Sequence, residues 1–198
     1  MPLIKLNNRS IKDVTSLPFS VGNLIHIQSQ TASNSSSISF TTGINSTYKE
    51  YQFYFINIHP RTDNVSFTFQ GSTNGGSSYG ITITSSSFST WHHEGDSYTF
   101  LGYRTGTDLA QSTNFHPLTE TTSSDADHGL VANFSLFNPA STTYVKHFIS
   151  NCQQTYPLDD SLQTFIGGYF NTTSAINAVQ FKMDSGNFDG TIALFGVV

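Results

Sequence analysis

Hydrophobic and polar side chains alternate with a period of two along much of this chain, a period typical of β-strands. Near the end of the chain, Val179, Phe181 and Met183 alternate with polar residues, as in a strand with one buried face. Turn-forming residues occupy 185–190, and an almost uninterrupted apolar run follows at 191–198. This pattern predicts a β-hairpin whose return strand lies inside a sheet or against another subunit.

Similar segments recur from residue 24 onward. The other candidate strands are 24–27, 37–40, 51–59, 65–69, 79–83, 98–103, 130–137, 144–150 and 164–170. No stretch has a sustained helical period. About ten strands separated by Gly, Asn and Ser loops predict an all-β fold, either an antiparallel β-sandwich or a jelly roll.

Two of these segments carry more specific expectations. Segments 65–69 and 79–83 alternate on either side of a loop rich in Gly and Ser, so they are expected to form a second hairpin. Segment 51–59 is apolar on both faces, with Phe53, Phe55, Asn57 and His59 on one and Gln52, Tyr54, Ile56 and Ile58 on the other. That pattern predicts a strand packed on two sides.

The first 22 residues differ in composition from the rest of the chain. Lys5, Arg9 and Lys12 supply three of the eight Lys and Arg residues of the chain. A cationic extension on an acidic body suits an arm that contacts a neighbouring subunit or an anionic surface, while a mobile tail or a first edge strand fits equally well. We therefore divide the chain into an arm or linker at 1–22 and a β-sandwich domain at 23–198.

Composition excludes several classes of partner. Only 11% of residues are charged and the net charge is -5, which argues against nucleic acid and against anionic membrane surfaces. No apolar run approaches the roughly 20 residues that span a bilayer, so membrane insertion is not expected. Cys152 is the only cysteine, and with no signal-peptide pattern at the start of the sequence we expect assembly in a cytoplasm.

Catalytic motifs are weak. Residues 76–80 match G-x-S-x-G, but a nucleophile elbow needs a strand before it and a helix after it. Here a candidate strand follows, so a hairpin loop is expected. The glutamates Glu50, Glu94 and Glu120 do not suggest the acid and base of a glycosidase. We expect no enzyme activity, no catalytic residue and no cofactor.

Two short stretches carry metal-ligand residue types. They contain Trp91, His92 and His93 in one case and Asp125, Asp127 and His128 in the other. Adjacent side chains of an extended strand point to opposite faces, and the second stretch lacks the further oxygen ligands of a calcium loop. Solvated loops without metal are the favoured interpretation. If a metal is bound, the expected place is a subunit axis, where symmetry repeats one histidine.

The same residues are candidates for recognition. Loops on a rigid sandwich commonly carry binding functions, and the segments 91–96 and 105–128 are expected to be exposed loops. Tyr48, Tyr51, Tyr54 and Trp91 could form a platform on which sugars stack, although core packing is the favoured interpretation for most of them.

Three parts of the sequence resemble a family of structural proteins of tailed bacteriophages, many of them marine. These parts are residues 29–33 with 48–51 through 58–60, residues 137–139 with 144–148, and residues 181–187 with 192–196. The ending is similar to F-x-M-S-S-G-N-I-x-x-G-x-I-x-L-Y-G, with Asp184, Phe188 and Phe195 in place of Ser, Ile and Tyr. The resemblance covers residues 24–198 and implies a virion component without catalytic residues.

The sequence therefore predicts a non-enzymatic structural protein of a tailed-phage virion. Its subunit is expected to form homo-oligomers, preferably trimers by analogy with phage appendages, on the capsid or tail beside other phage proteins. Candidate assembly contacts are Lys5, Arg9 and Lys12 of the arm and Leu194, Phe195 and Val197 of the closing strand. The alternative is a receptor-binding module that recognises host-surface glycan through its exposed loops.

Overall fold

A computed structural model describes residues 23–198, and this part of the chain contains no helix. Its twelve strands are β1 (Leu24–Ser35), β2 (Ile38–Phe40), β3 (Glu50–Pro60), β4 (Phe67–Ser72), β5 (Ile83–His93), β6 (Thr99–Tyr103), β7 (His116–Pro117), β8 (Leu130–Phe137), β9 (Lys146–Tyr156), β10 (Asp160–Phe170), β11 (Ala178–Met183) and β12 (Phe188–Val197). Without a helix, residues 23–198 offer no helical segment that could cross a membrane.

The strands form two antiparallel sheets of unequal size. The larger has eight strands in the order β1-β12-β3-β8-β9-β10-β5-β6, and the smaller has four in the order β2-β11-β4-β7. The predicted all-β antiparallel sandwich is confirmed, with twelve strands instead of about ten. The jelly roll stays a prediction.

The predicted closing hairpin is wrong, although its two strands exist. β11 pairs with β2 and β4 in the small sheet, whereas β12 pairs with β1 and β3 in the large sheet. The turn residues after Met183 therefore carry the chain from one sheet to the other. A strand, a turn and a second strand give the same local pattern in both arrangements, because in both cases each strand buries one face. The internal position of the return strand is confirmed, since β12 lies between β1 and β3.

The second predicted hairpin is wrong for the same reason. β4 belongs to the small sheet and β5 to the large one, and residues 79–82 form no strand. The segment is instead held by a side chain, because Gln70 Nε2 of β4 donates to the backbone oxygen of Ile81 at 3.1 Å. Gln70 is completely buried, so this bond helps to satisfy an amide that would be costly to bury without a partner.

The core between the sheets is built largely from phenylalanine rings. Phe181 of β11 lies edge-on to Phe53 and Phe55 of β3, with ring centroids 5.1 and 4.9 Å apart. All three side chains are 2% exposed or less. Aromatic pairs in this arrangement stabilise a core by about 0.5–1.5 kcal/mol beyond the area they bury.

A β-bulge reverses the side chains of β3 near its end. Asn57 has φ of 50°, a left-handed conformation that Asn tolerates better than most residues. The extra residue turns Ile58 into the core, where it is completely buried, while Ile56 on the other face is 48% exposed. The predicted grouping of Ile58 with Ile56 is therefore wrong.

The segment between β6 and β8, which includes β7 of the small sheet, packs against strands of the large sheet. Gln154 Nε2 of β9 donates to Thr121 O at 2.8 Å, and Thr107 Oγ1 lies 2.7 Å from Ser87 Oγ of β5. The residues Leu118, Thr119, Thr122 and Ser123 are at most 1% exposed. The expectation that 105–128 is an exposed loop is wrong for this packed middle part.

His116 fixes the segment to the sheet. Its Nδ1 donates to Pro117 O at 2.6 Å, which leaves Nε2 to accept from the Ser85 hydroxyl, also at 2.6 Å. Burial of the imidazole lowers the pKa of His116 to about 4. The ring is therefore neutral at pH 7.

Candidate functional site

The outer face of the eight-stranded sheet, the face turned away from the small sheet, is rich in exposed apolar side chains. Because side chains alternate along a strand, the pairing registers place Ile56, Val131, Ile149, Phe88 and Leu101 on this face. These five are between 45% and 70% exposed. Exposed apolar side chains in this number on one face commonly mark an interaction site.

Within residues 23–198, the polar side chains between them are amides and hydroxyls and carry no charge. Asn133, Asn151, Gln153 and Gln163 occupy outer-face positions in neighbouring strands, and Gln163 Nε2 donates to Asn151 Oδ1 at 2.9 Å. Amides keep a surface wettable, and they cost less to desolvate than carboxylates or ammonium groups.

Among residues 23–198, charged side chains on this face lie only at the ends of the strands. Glu50 begins β3, where its Oε1 accepts from Gln52 Nε2 at 2.7 Å and from the Ser135 hydroxyl at 2.9 Å. Asp189, near the start of β12, is paired with Arg61 at 2.7 Å. Both carboxylates thus have partners, and both lie away from the middle of the face.

The face has hollows as well as projections. A shallow concavity of about 670 Å³ lies among the side chains of Leu24, Tyr54, Val131 and Phe195. A second, of about 480 Å³, is bordered by Phe88, Ile149 and Phe165 around Gly167, where an added Cβ would meet no atom within 4 Å. Such relief permits a complementary surface to interlock with the face.

The predicted assembly contacts of the closing strand divide between core and face. Leu194 is completely buried in the core. Phe195 and Val197 lie on the outer face, where the Phe195 ring is edge-on to Tyr54 with centroids 5.5 Å apart. Lys5, Arg9 and Lys12 lie outside the described residues.

The two histidine-containing stretches lie far apart. Trp91, His92 and His93 end β5, whereas Asp125, Asp127 and His128 precede β8 beside β3, where His59 Nδ1 bonds to His128 O at 2.8 Å. Three strands, β8, β9 and β10, separate β3 from β5. Within residues 23–198, no three His, Cys, Asp or Glu side chains form a group that could hold a metal ion.

Each imidazole at the end of β5 has a different surrounding. His92 Nε2 lies 2.9 Å from Asp96 Oδ1 on the exposed surface. The His93 ring stacks on Tyr98, with centroids 5.1 Å apart, and its Nδ1 lies 2.9 Å from the Ser97 hydroxyl. Contrary to the predicted exposed loop at 91–96, Trp91, His92 and His93 belong to the strand itself, and only the residues after them form a turn.

The tyrosines expected as a sugar platform do not share a surface. Tyr51 is completely buried, and its hydroxyl donates to Asn45 O at 3.0 Å. Tyr48 packs edge-on against Tyr51, whereas Tyr54 lies on the outer face. The favoured interpretation of core packing is confirmed for Tyr51. The G-x-S-x-G match at 76–80 lies in the connection between β4 and β5 and is not followed by a helix.

Comparison of the chain with protein-family models, with curated proteins and with solved structures gave no match.

Proposed function

We propose that this protein is a non-enzymatic structural component of a tailed-phage virion, a β-sandwich subunit that self-associates and is built onto the capsid or tail. The observation that carries the proposal is the outer face of the eight-stranded sheet, with its exposed apolar residues, its amides and, among residues 23–198, no charged side chain at its centre. Interface cores are depleted of charged residues, because an ion buried without a partner costs several kcal/mol.

The size of the face supports this role. Seven strand spacings of about 4.8 Å make it roughly 34 Å wide, and six residues of strand add about 20 Å in the other direction. The product, roughly 700 Å², is close to the 800 Å² or so that each partner contributes to a standard interface. Three-fold symmetry is the favoured arrangement by analogy with phage appendages.

The first test is the oligomeric state of the purified full-length chain, measured by light scattering and mass photometry at micromolar concentration. The wild type should be an oligomer, and the double variant Val131→Glu, Ile149→Glu should shift it toward the monomer, because both carboxylates would have to be desolvated in the interface. Tyr144→Glu is the matched control, since Tyr144 is an apolar residue of the β8–β9 loop that is 69% exposed.

A monomeric wild type, or a double variant as oligomeric as the wild type, would contradict assembly through this face. The virion role has a separate test, which is mass spectrometry and image reconstruction of purified particles of the phage that encodes the chain. Particles without the protein would refute the structural role even if the purified chain is oligomeric.

A further inference from the structure

A cavity of about 310 Å³ lies at the β5–β6 end of the large sheet. Its walls include Trp91, Tyr98, Arg104, Glu120, Tyr156 and Asp160. Trp91 and Asp160 alternate with outer-face residues in β5 and β10, so the cavity opens on the opposite side of the sheet from the proposed assembly face. A partner on that face would leave it accessible.

The aromatic wall is held in place before any ligand arrives. The Trp91 indole stacks on Phe100 with centroids 4.2 Å apart and planes inclined by 19°. The guanidinium carbon of Arg104 lies 4.8 Å from the centre of the indole ring. A ring fixed in this way loses little conformational entropy when a ligand packs against it.

The cavity also offers a hydrogen-bond acceptor in need of a donor. Asp160 is 3% exposed, and its Oδ2 accepts from the Tyr98 hydroxyl at 2.7 Å, a bond that raises the pKa of Tyr98. Its Oδ1 is buried and has no partner among residues 23–198. A buried carboxylate oxygen without a donor is costly, and the soft χ2 torsion of Asp lets it turn toward a donor in the cavity.

Donors are present beside this acceptor. Arg104 donates from Nε and one terminal nitrogen to the two oxygens of Glu120, at 2.5 and 3.2 Å. A guanidinium has five N–H groups, so three have no partner within the described part of the chain. The ion pair neutralises both side chains, and Arg104, which lines the cavity, keeps N–H groups that have no acceptor within residues 23–198.

We propose that this cavity binds a neutral pyranose sugar ring. Sugar hydroxyls both donate and accept, which matches the mixture of Asp160, Arg104 and Glu120, and the apolar C–H faces of the ring suit Trp91 and the tyrosines. A cationic ligand would satisfy Asp160 and the rings, but it would offer no acceptor to the remaining N–H groups of Arg104. The volume is at the small end of the roughly 300–1,000 Å³ typical of ligand sites, so one ring fits inside and further rings would extend past Leu158.

Trp91 is the only tryptophan of the chain, so its fluorescence reports on this cavity alone. The full-length protein is titrated with glucose, galactose, mannose and N-acetylglucosamine, and with tetramethylammonium as the cationic comparison, each to about 50 mM to cover millimolar Kd values. At least one sugar should give a saturable change. Asp160→Asn should weaken that binding roughly ten- to hundredfold, as expected for the loss of a hydrogen bond to a charged group.

Leu158→Arg is a second variant that leaves the core intact, because Leu158 lines the cavity but is 64% exposed. It should abolish the saturable change while the thermal melt stays that of the wild type. Asp125→Asn, a carboxylate outside the cavity, should bind like the wild type. Saturation by tetramethylammonium alone, no saturation by any sugar, or unchanged affinity in a folded Leu158→Arg or Asp160→Asn variant would overturn the proposal. None of these readouts depends on oligomeric state, so the site and the assembly role can fail separately.

Discussion

Deleting residues 194–198 should unfold the protein or make it insoluble. β12 is an internal strand whose last residues pair on both sides, with Val197 opposite Leu24 of β1 and opposite Glu50 of β3. The deletion therefore removes two rows of ladder hydrogen bonds at once. It also exposes the edge of β3 and part of the core beneath it.

The magnitude can be worked out from burial. Leu194 is completely buried, and removing such a side chain from a core costs about 2–5 kcal/mol. Each ladder hydrogen bond contributes a net 0.5–1.5 kcal/mol or so, and several are lost along the two neighbours. The total reaches the 5–15 kcal/mol or so by which a whole domain is stable.

Soluble yield and thermal melts followed by circular dichroism measure the effect. Deleting Val198 alone is the control, since it is 66% exposed and lies beyond β12, where its N–H donates to Asn23 O at 3.0 Å. Leu194→Ala in the full-length chain provides a quantitative version, with an expected loss of about 2–5 kcal/mol. A 194–198 deletion that melts like the full-length protein would show that β12 does not stabilise the sandwich.

Three further predictions concern single residues. Burial lowers the pKa of His116 from 6.5 to about 4, so the contribution of the neutral ring to the free energy of unfolding is complete above pH 6.5 and falls by up to about 3 kcal/mol as the pH drops toward 4. In urea melts at pH 7.5 and 4.5, the free energies of unfolding should differ less for His116→Phe than for the wild type, and an equal difference would contradict this. Burial raises the pKa of the Cys152 thiol, so a thiol reagent should label it only after denaturation, and rapid labelling of the folded protein would count against its place in the core. Gly190 has φ of 127° and an added Cβ would lie 2.6 Å from Asn57 O, whereas a Cβ at Gly106 would meet no atom within 4 Å. In denaturant melts, Gly190→Ala should therefore lower the free energy of unfolding by about 1–3 kcal/mol and Gly106→Ala should leave it almost unchanged, and equal effects would refute the bulge geometry.

Strand positions can be predicted from the sequence because alternation is a local signal. The pattern of 130–137 predicts a strand, and this segment forms β8 with the same bounds. Sheet membership could not be predicted, since the turn after Met183 has the residues of a hairpin turn but carries the chain between sheets. Which sheet a strand joins depends on partners distant in sequence, such as β1 for β12.

The residues that line the cavity could likewise be predicted from the sequence only in part. Trp91 stands out in the sequence as a large aromatic residue in a polar stretch, and that residue type is the available signal. Arg104, Glu120 and Asp160 carry no signal, because a lone charged residue in a loop or at a strand end normally faces solvent. Arg104 follows β6 and Asp160 begins β10, so both reach Trp91 because β5 pairs with these two strands. Glu120 joins them through its ion pair with Arg104.

The two apolar faces of β3 connect the sequence to the proposed assembly. Its pattern predicts packing on both sides, and on the inner side Phe53 and Phe55 are indeed buried. On the outer side Tyr54 is only partly buried, and Ile56 stays 48% exposed. The same pattern continues across the sheet to Val131 and Ile149 in β8 and β9. Burial of apolar surface stabilises a complex by about 25 cal/mol for each Å² removed from water. A second copy of the chain that covers this face would therefore supply the packing on both sides that the pattern of β3 predicts.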